Sequence, residues 1–127
     1  MSTSQKTILL VDDDDTILEL LAITFELKGF NVLKARDGGD ARDRLSKVEV
    51  DIILIDLLMP VMDGRKFLEW LRKERKTSEP VAVLTSIVGK DAEHTILEAG
   101  ANVVLRKPIR PDEILKVVSQ LLDLEAA

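Results

Sequence analysis

The stretch that decides the fold is Asp51-Ile52-Ile53-Leu54-Ile55-Asp56-Leu57-Leu58-Met59-Pro60-Val61-Met62-Asp63-Gly64. Four branched aliphatic residues, Ile52 to Ile55, run without a break and stop on Asp56. An apolar run this short, bounded by turn signals, reads as a strand buried on both faces of a parallel sheet. A carboxylate at the carboxyl end of such a strand stands where open α/β sheets bind ligands. Pro60 and Gly64 bracket the loop that follows. Asp63 is expected to cap a third helix over Gly64 to Lys76, which carries Phe67, Leu68 and Leu71 inward.

Apolar and amphipathic segments alternate on both sides of this stretch. Thr7 to Val11 is strand-like and ends in the acid run Asp12 to Asp15. Thr16 to Lys28 predicts a helix with Ile17, Leu20, Leu21, Thr24 and Phe25 on its inner face, stopped by Gly29 and started by Asp14 or Asp15. Phe30 to Ala35 reads as a second strand. The turn Asp37-Gly38-Gly39-Asp40 leads into a polar helix, Gly39 to Val48, with Ala41 and Leu45 inward. Asp51 to Ile55 is the third strand and Val81 to Thr85 the fourth. Asp91 to Ala99 is a short helix stopped by Gly100, and Val103 to Arg106 is a fifth strand. Pro111 opens a last helix whose stripe is Ile114, Leu115, Val118, Leu121 and Leu122. Five strands alternating with five helices imply an α/β, doubly wound parallel sheet covered on both faces.

The 127 residues suffice for one domain with a substantial core, expected over 1–127 with the polar segment 1–6 as a disordered tail. There is no cysteine, which excludes disulfides and thiolate metal sites. No apolar run approaches the roughly 20 residues of a membrane span and no signal peptide is visible, so a cytoplasmic location without membrane contact is expected. The net charge of -5 argues against direct nucleic-acid binding.

Polar residues recur at the strand carboxyl ends: Asp12 to Asp15, Asp56, Thr85-Ser86 and Lys107. In a parallel sheet all these ends open on one edge, so the side chains converge. Clustered carboxylates favour Mg²⁺, which takes one or two of them and keeps several waters. Lysine adds a point charge and threonine a hydrogen bond for phosphoryl oxygens, and a remaining carboxylate can serve as nucleophile toward phosphorus.

Over essentially its whole length the chain resembles the response-regulator receiver domains of two-component signalling. The likeness is carried by Ile8-Leu9-Leu10-Val11-Asp12-Asp13-Asp14, by Asp51 through Gly64 with its Met-Pro-x-Met-Asp-Gly ending, by Val81-Ala82-Val83-Leu84-Thr85, and by Gly100-Ala101 leading to Lys107-Pro108. The resemblance implies a flavodoxin-like fold with strand order 2-1-3-4-5. It implies that Asp56 accepts a phosphoryl group from a phosphohistidine of a sensor histidine kinase or phosphotransfer protein. It places Mg²⁺ on Asp13 and Asp56 directly, on Asp12 mainly through water, and on the backbone carbonyl of Leu58. Thr85 is implied to bind a phosphoryl oxygen, Lys107 to pair with the phosphoryl group, and the Lys107-Pro108 bond to be cis. Such a domain catalyses only its own phosphorylation and dephosphorylation, and signals to an output protein by a change of surface, as a monomer or weak homodimer.

Two positions depart from the family pattern. Val104 stands three residues before Lys107, where a switching Tyr or Phe is usual. A valine cannot swing a ring between exposed and buried states, so the usual threonine-to-aromatic coupling does not carry over, and a backbone shift of the loop after the fourth strand is the alternative route for a signal. Ser86 follows Thr85 where a small apolar residue is common; its hydroxyl is expected to be solvated, the alternative being a place near the phosphate. His94 reads as a surface residue, Trp70 as partly exposed, and Arg72-Lys73-Glu74-Arg75-Lys76 as a solvated helix end. Leu18 and Ile23 flank the first helix's stripe, where they either widen an apolar surface for the phosphoryl donor or pack at the sheet margin.

Two other functions fit parts of the chain. Asp12-Asp13-Asp14-Asp15-Thr16 matches the Asp-x-Asp-x-Thr of haloacid-dehalogenase-type phosphatases, but Val103 to Lys107 lacks the later acidic pair that chemistry needs. A receiver-like interaction module that never uses phosphate is compatible with Val104 but leaves the acids, Thr85 and Lys107 without a purpose.

Overall fold

A computed structural model describes residues 6–56, 61–75, 77, 79–86 and 89–122, the side chains of 61–64 excepted. Five strands, β1 (Thr7–Val11), β2 (Asn31–Ala35), β3 (Ile52–Asp56), β4 (Val81–Thr85) and β5 (Val103–Arg106), form one parallel sheet. Its order is β2-β1-β3-β4-β5. Among the described residues the connecting helices are α1 (Asp15–Leu27), α2 (Gly38–Leu45), α3 (Val61–Glu69) and α4 (Lys90–Ala99), and α5 (Pro111–Leu121) follows the last strand. Architecture and strand order are as expected.

The central strands are apolar at every interior position because successive side chains enter opposite cores. Leu9, Val11, Ile53, Ile55, Val81 and Val83 meet Ala41, Leu45, Phe67, Leu68, Leu71 and Ile96 from α2, α3 and α4 and the turn after α3. Ile8, Leu10, Ile52, Leu54, Ala82 and Leu84 meet Leu18, Leu21, Phe25, Ile114 and Val118 from α1 and α5. Each Val, Leu, Ile or Phe among them contributes about 1.5–3 kcal/mol on burial, so β3, wholly buried, is fixed in place before its terminal acid is considered.

The inner face of α1 differs from the expected one. Asp14 caps the helix, accepting the N–H groups of Thr16 and Ile17 at 2.9 and 3.3 Å. The buried set is Leu18, Leu21, Ala22 and Phe25, while Leu20 and Ile23 are each 52% exposed. Of the two alternatives for Leu18, the structure shows packing against the sheet. Apolar residues at almost every position from Ile17 to Leu27 permit more than one helical face, and packing chose the one that sets Phe25 edge-on against Phe30 at 5.1 Å. In α5 the buried residues are Ile114 and Val118, with Leu115, Leu121 and Leu122 packed partly buried beside them.

α3 begins at Val61, earlier than expected, so Asp63 lies inside the helix rather than capping it. Nor is the basic run a simple solvated end. The chain continues into a π-helical turn, Trp70–Glu74, closed by the Arg75 N–H on the Trp70 carbonyl at 3.0 Å. The widened turn brings Arg72 inward, where its guanidinium donates to the carbonyls of Gly100 and Thr77 and to Asn102 Oδ1. Arg75 pairs with Glu79 at 3.9 Å, both largely buried. Trp70 is half-buried between Phe67 and the Arg42 guanidinium, 4.8 Å above its ring. No helix among the described residues is long and apolar enough to cross a membrane.

Candidate functional site

The sheet register sets the site. Val11 lies beside Ile55, Asp56 beside Leu84, and Thr85 beside Arg106. Asp12, one residue beyond Val11, thus stands next to Asp56, and Lys107, one beyond Arg106, stands next to Thr85. Three polar side chains are buried at this edge: Asp12 and Asp56 at 1% exposure and Thr85 at 2%. Lys107 closes the group with its Nζ 2.5 Å from Asp56 Oδ2. Its backbone N–H is fixed on the Thr85 carbonyl at 2.9 Å, and the Lys107-Pro108 bond is cis, as expected.

The carboxylates are held but not satisfied. Asp12 Oδ1 accepts the Asp14 N–H at 2.9 Å, while Asp12 Oδ2 and both oxygens of Asp56 are buried without a hydrogen-bond partner. The Lys107 contact is therefore a close charge pair lacking hydrogen-bond alignment. Burial pushes the Asp12 carboxyl up to about 7, and the adjacent Asp56 adds to the rise by sharing a proton and by repulsion; the Asp14 N–H and the Lys107 charge oppose it. Unpartnered buried carboxylate oxygens cost free energy unless a cation or proton joins them.

These three oxygens are hard donors of the kind Mg²⁺ takes, so the donor set fits that ion. Among the described residues no three His, Cys, Asp or Glu side chains gather around one point, so Asp13 does not join Asp12 and Asp56 in a three-carboxylate set. Asp13 is exposed on the rim. Leu58, expected to offer its carbonyl, lies outside the described residues, as do Leu57, Met59 and Pro60.

One feature was not legible as a site. Asp56 and Lys107 are among the residues that line a groove of about 440 Å³. Its walls are Ile17, Leu20 and Leu21 of α1 and Pro108, Ile109, Pro111 and Ile114 leading into α5, with Leu84 and Ser86 beside them. Ser86 is exposed, as expected. Periodicity puts Leu20 in the core, whereas its side chain is exposed; the surplus of apolar residues in α1 is the sequence signal for that outward position. His94 is exposed and pairs with Glu98 at 2.8 Å.

The family model described as the response regulator receiver domain matches residues 8–119. The chain belongs to that family. Among curated relatives, the transcriptional regulatory protein GltR of Pseudomonas aeruginosa is 36% identical over 96% of this chain and 51% of its own length. The transcriptional regulatory protein CpxR of Escherichia coli is 38% identical over 91% of this chain and 48% of its own. The receiver thus spans about half the length of these relatives. Among solved structures, a CheY-like receiver domain protein from Methanospirillum hungatei superposes with a TM-score of 0.84 at 28% identity, covering 95% of this chain and 96% of that one. The flavodoxin-like architecture and the place in two-component signalling are those of the family; the phosphatase and phosphate-free readings are not favoured.

Proposed function

We propose that residues 1–127 act as one receiver unit in which Asp56 accepts a phosphoryl group from a phosphohistidine. The observation that carries the reading is the acceptor carboxylate itself: buried, unpartnered by hydrogen bonds, flanked by Asp12 and Lys107, and reached from an apolar-walled groove. An Asp56 oxygen forms the new P–O bond while the P–N bond to the donor imidazole breaks and its electron pair returns to the ring. Lys107 balances charge on the phosphoryl oxygens, and Thr85, at the end of the neighbouring strand, offers its hydroxyl to one of them. Asp12 and Asp56, with Asp13 and the Leu58 carbonyl, would hold Mg²⁺. The ion supplies charge neutralisation between the acids and the incoming phosphoryl oxygens.

The donor is a sensor histidine kinase or a phosphotransfer protein. The groove supports a specific docking mode, in which an apolar helix face lies against Ile17 and Leu20 of α1 and Ile109, bringing its histidine over Asp56. The output is another protein or protein segment that reads the changed surface, in the cytoplasm, without direct nucleic-acid or membrane contact by this unit, as a monomer or weak homodimer.

The test is incubation with acetyl phosphate or beryllofluoride and Mg²⁺, followed by mass and thermal-stability measurements. A single phosphoryl adduct on Asp56, lost in Asp56→Asn and absent without Mg²⁺, is expected. Label on Asp12 instead, or no adduct and no stability response, sinks the assignment.

A further inference from the structure

A second hollow, of about 280 Å³, lies between α2 and α3, and none of its lining residues lines the groove over Asp56. Its aromatic wall is Phe67, buried, and Trp70, half-buried, with ring centroids 5.9 Å apart. Trp70 opens the π-helical turn, a form that recurs at functional sites. The next residue, Leu71, is fully buried and anchors the backbone that carries the ring. On the α2 side Gly38 contributes no side chain; a Cβ there would come 3.5 Å from Phe67 Cβ, so glycine keeps the space beside that ring open. Two cations, Arg42 and Lys66, share the lining. Neither is paired with a carboxylate among the described residues, whereas Arg36, Arg44, Arg65, Arg75 and Arg110 all are. Arg42 stands instead over Trp70, 4.8 Å from the ring centroid. That contact draws on its charge and leaves its guanidinium N–H donors without an acceptor among the described residues. Arg42, Trp70 and Gly39 also line an adjoining hollow of about 450 Å³, so space continues from the first for the rest of a larger ligand.

We propose that this hollow binds a small planar aromatic anion, its ring against Trp70 and Phe67 and its phosphate or carboxylate held by Arg42 and Lys66. This goes beyond the function proposed above and does not depend on Asp56 being the acceptor. An aromatic wall takes a flat ring of almost any kind, because every such ring offers a π-face. The charged end narrows the class. Arginine's planar fork matches the oxygens of a phosphate or carboxylate, and lysine adds a point charge. The chain's net charge of -5 repels anions in general, so their selection falls to these two side chains. Asp37, also in the lining, gives Oδ1 to the Asp40 N–H at 2.8 Å. Its other oxygen is left for a ring N–H or amino group and disfavours an anion beside it, which orients the ligand with its charged end toward the cations. Nucleoside monophosphates and aminobenzoate-type carboxylates share this chemistry.

Trp70 is the chain's one tryptophan, and there is no tyrosine, so its fluorescence reports on this hollow directly. The full chain is titrated with guanosine monophosphate, para-aminobenzoate, guanosine and inorganic phosphate, with excitation at the red edge and calorimetry in parallel. Saturable quenching below about 1 mM is expected with at least one of the two aromatic anions. Guanosine, which lacks the charge, and phosphate, which lacks the ring, bind at least roughly tenfold more weakly. Arg42→Gln and Lys66→Gln each weaken the aromatic anion roughly ten- to hundredfold, the equivalent of losing a hydrogen bond to a charged group. Both side chains are exposed, so both variants keep the fold. Acetyl phosphate labels Asp56 at an unchanged rate in each. Saturation by guanosine monophosphate alone assigns a nucleotide; saturation by para-aminobenzoate alone assigns a carboxylate. Three results overturn the site: no saturable binding of either aromatic anion, equal binding of guanosine or inorganic phosphate, or undiminished binding in both variants.

Discussion

At the amino edge of the sheet, Asp51 accepts the Thr7 N–H at 2.7 Å and Asn102 accepts both Arg72 and the Val81 N–H. At the carboxyl edge, Asp12 and Asp56 keep three buried oxygens without a hydrogen-bond partner. Unpartnered atoms do occur at the first edge, on Arg75 and Glu79, but there they belong to an oppositely charged pair. The carboxyl edge instead sets two acids side by side against one lysine. The same strands therefore end in polar groups that stabilise the fold at one side and in groups that strain it at the other. A residue whose polar atoms are satisfied contributes by staying put; one left unsatisfied is ready for an incoming partner.

Removing Lys107 should widen this contrast most. Lys107→Gln leaves Asp56 buried beside Asp12 with no counter-charge, and a loss of about 3 kcal/mol in denaturant unfolding at pH 8 is expected. Equal stability would mean that the ion pair is not a structural support of the edge.

Asp12→Asn should act in the opposite direction. Asp12 is raised from 3.8 to about 7 in the folded chain, so the folded state holds its proton more tightly than the unfolded one. The stability this gives is fully present below pH 3.8 and is lost as pH rises through about 7. At pH 8 the asparagine variant should be more stable by about 2 kcal/mol, with a much smaller gain at pH 5. Unfolding curves at the two pH values check the sign, and stabilisation by Mg²⁺ should weaken in the variant.

At the amino edge Asn102→Ala should cost about 1–2 kcal/mol, because it leaves the Val81 N–H and one Arg72 contact unpartnered. Asp56 labelling by acetyl phosphate should be unchanged. A slowed label would show that the two edges are not separable in this way. The smallest stability effect is expected for Leu20→Ser, within about 0.5 kcal/mol, since the side chain is exposed. Transfer from a phosphohistidine protein should nevertheless slow, while labelling by acetyl phosphate does not. Equal slowing of both would remove the groove from docking.

Most of the fold was legible because the strands are short, largely apolar and separated by amphipathic segments. The acids, Thr85 and Lys107 could be placed on one edge from strand ends alone. What periodicity could not decide was the rotation of α1, where Ile17, Leu18, Leu20, Leu21, Ala22 and Ile23 are all apolar. Nor could it reveal Arg72 as a clamp, since a basic residue near a helix end reads as solvated and the π-helical turn that redirects it has no simple sequence signal. The resemblance separates the roles of Asp12 and Asp13, but periodicity alone does not show that the β1 register buries Asp12 and leaves Asp13 exposed.

The position of β1 between β2 and β3 has a consequence for how the domain forms. Its pairing with β3 joins residues as far apart in sequence as Thr7 and Asp51, 44 positions away. Asp12 and Asp56 become neighbours only through that pairing. During chain growth the site therefore cannot exist until β3 has emerged and crossed back to β1, however early β1 and α1 take shape. The acid pair is a late, non-local product of assembly, and its repulsion opposes the closing of the sheet's centre rather than the formation of any single helix.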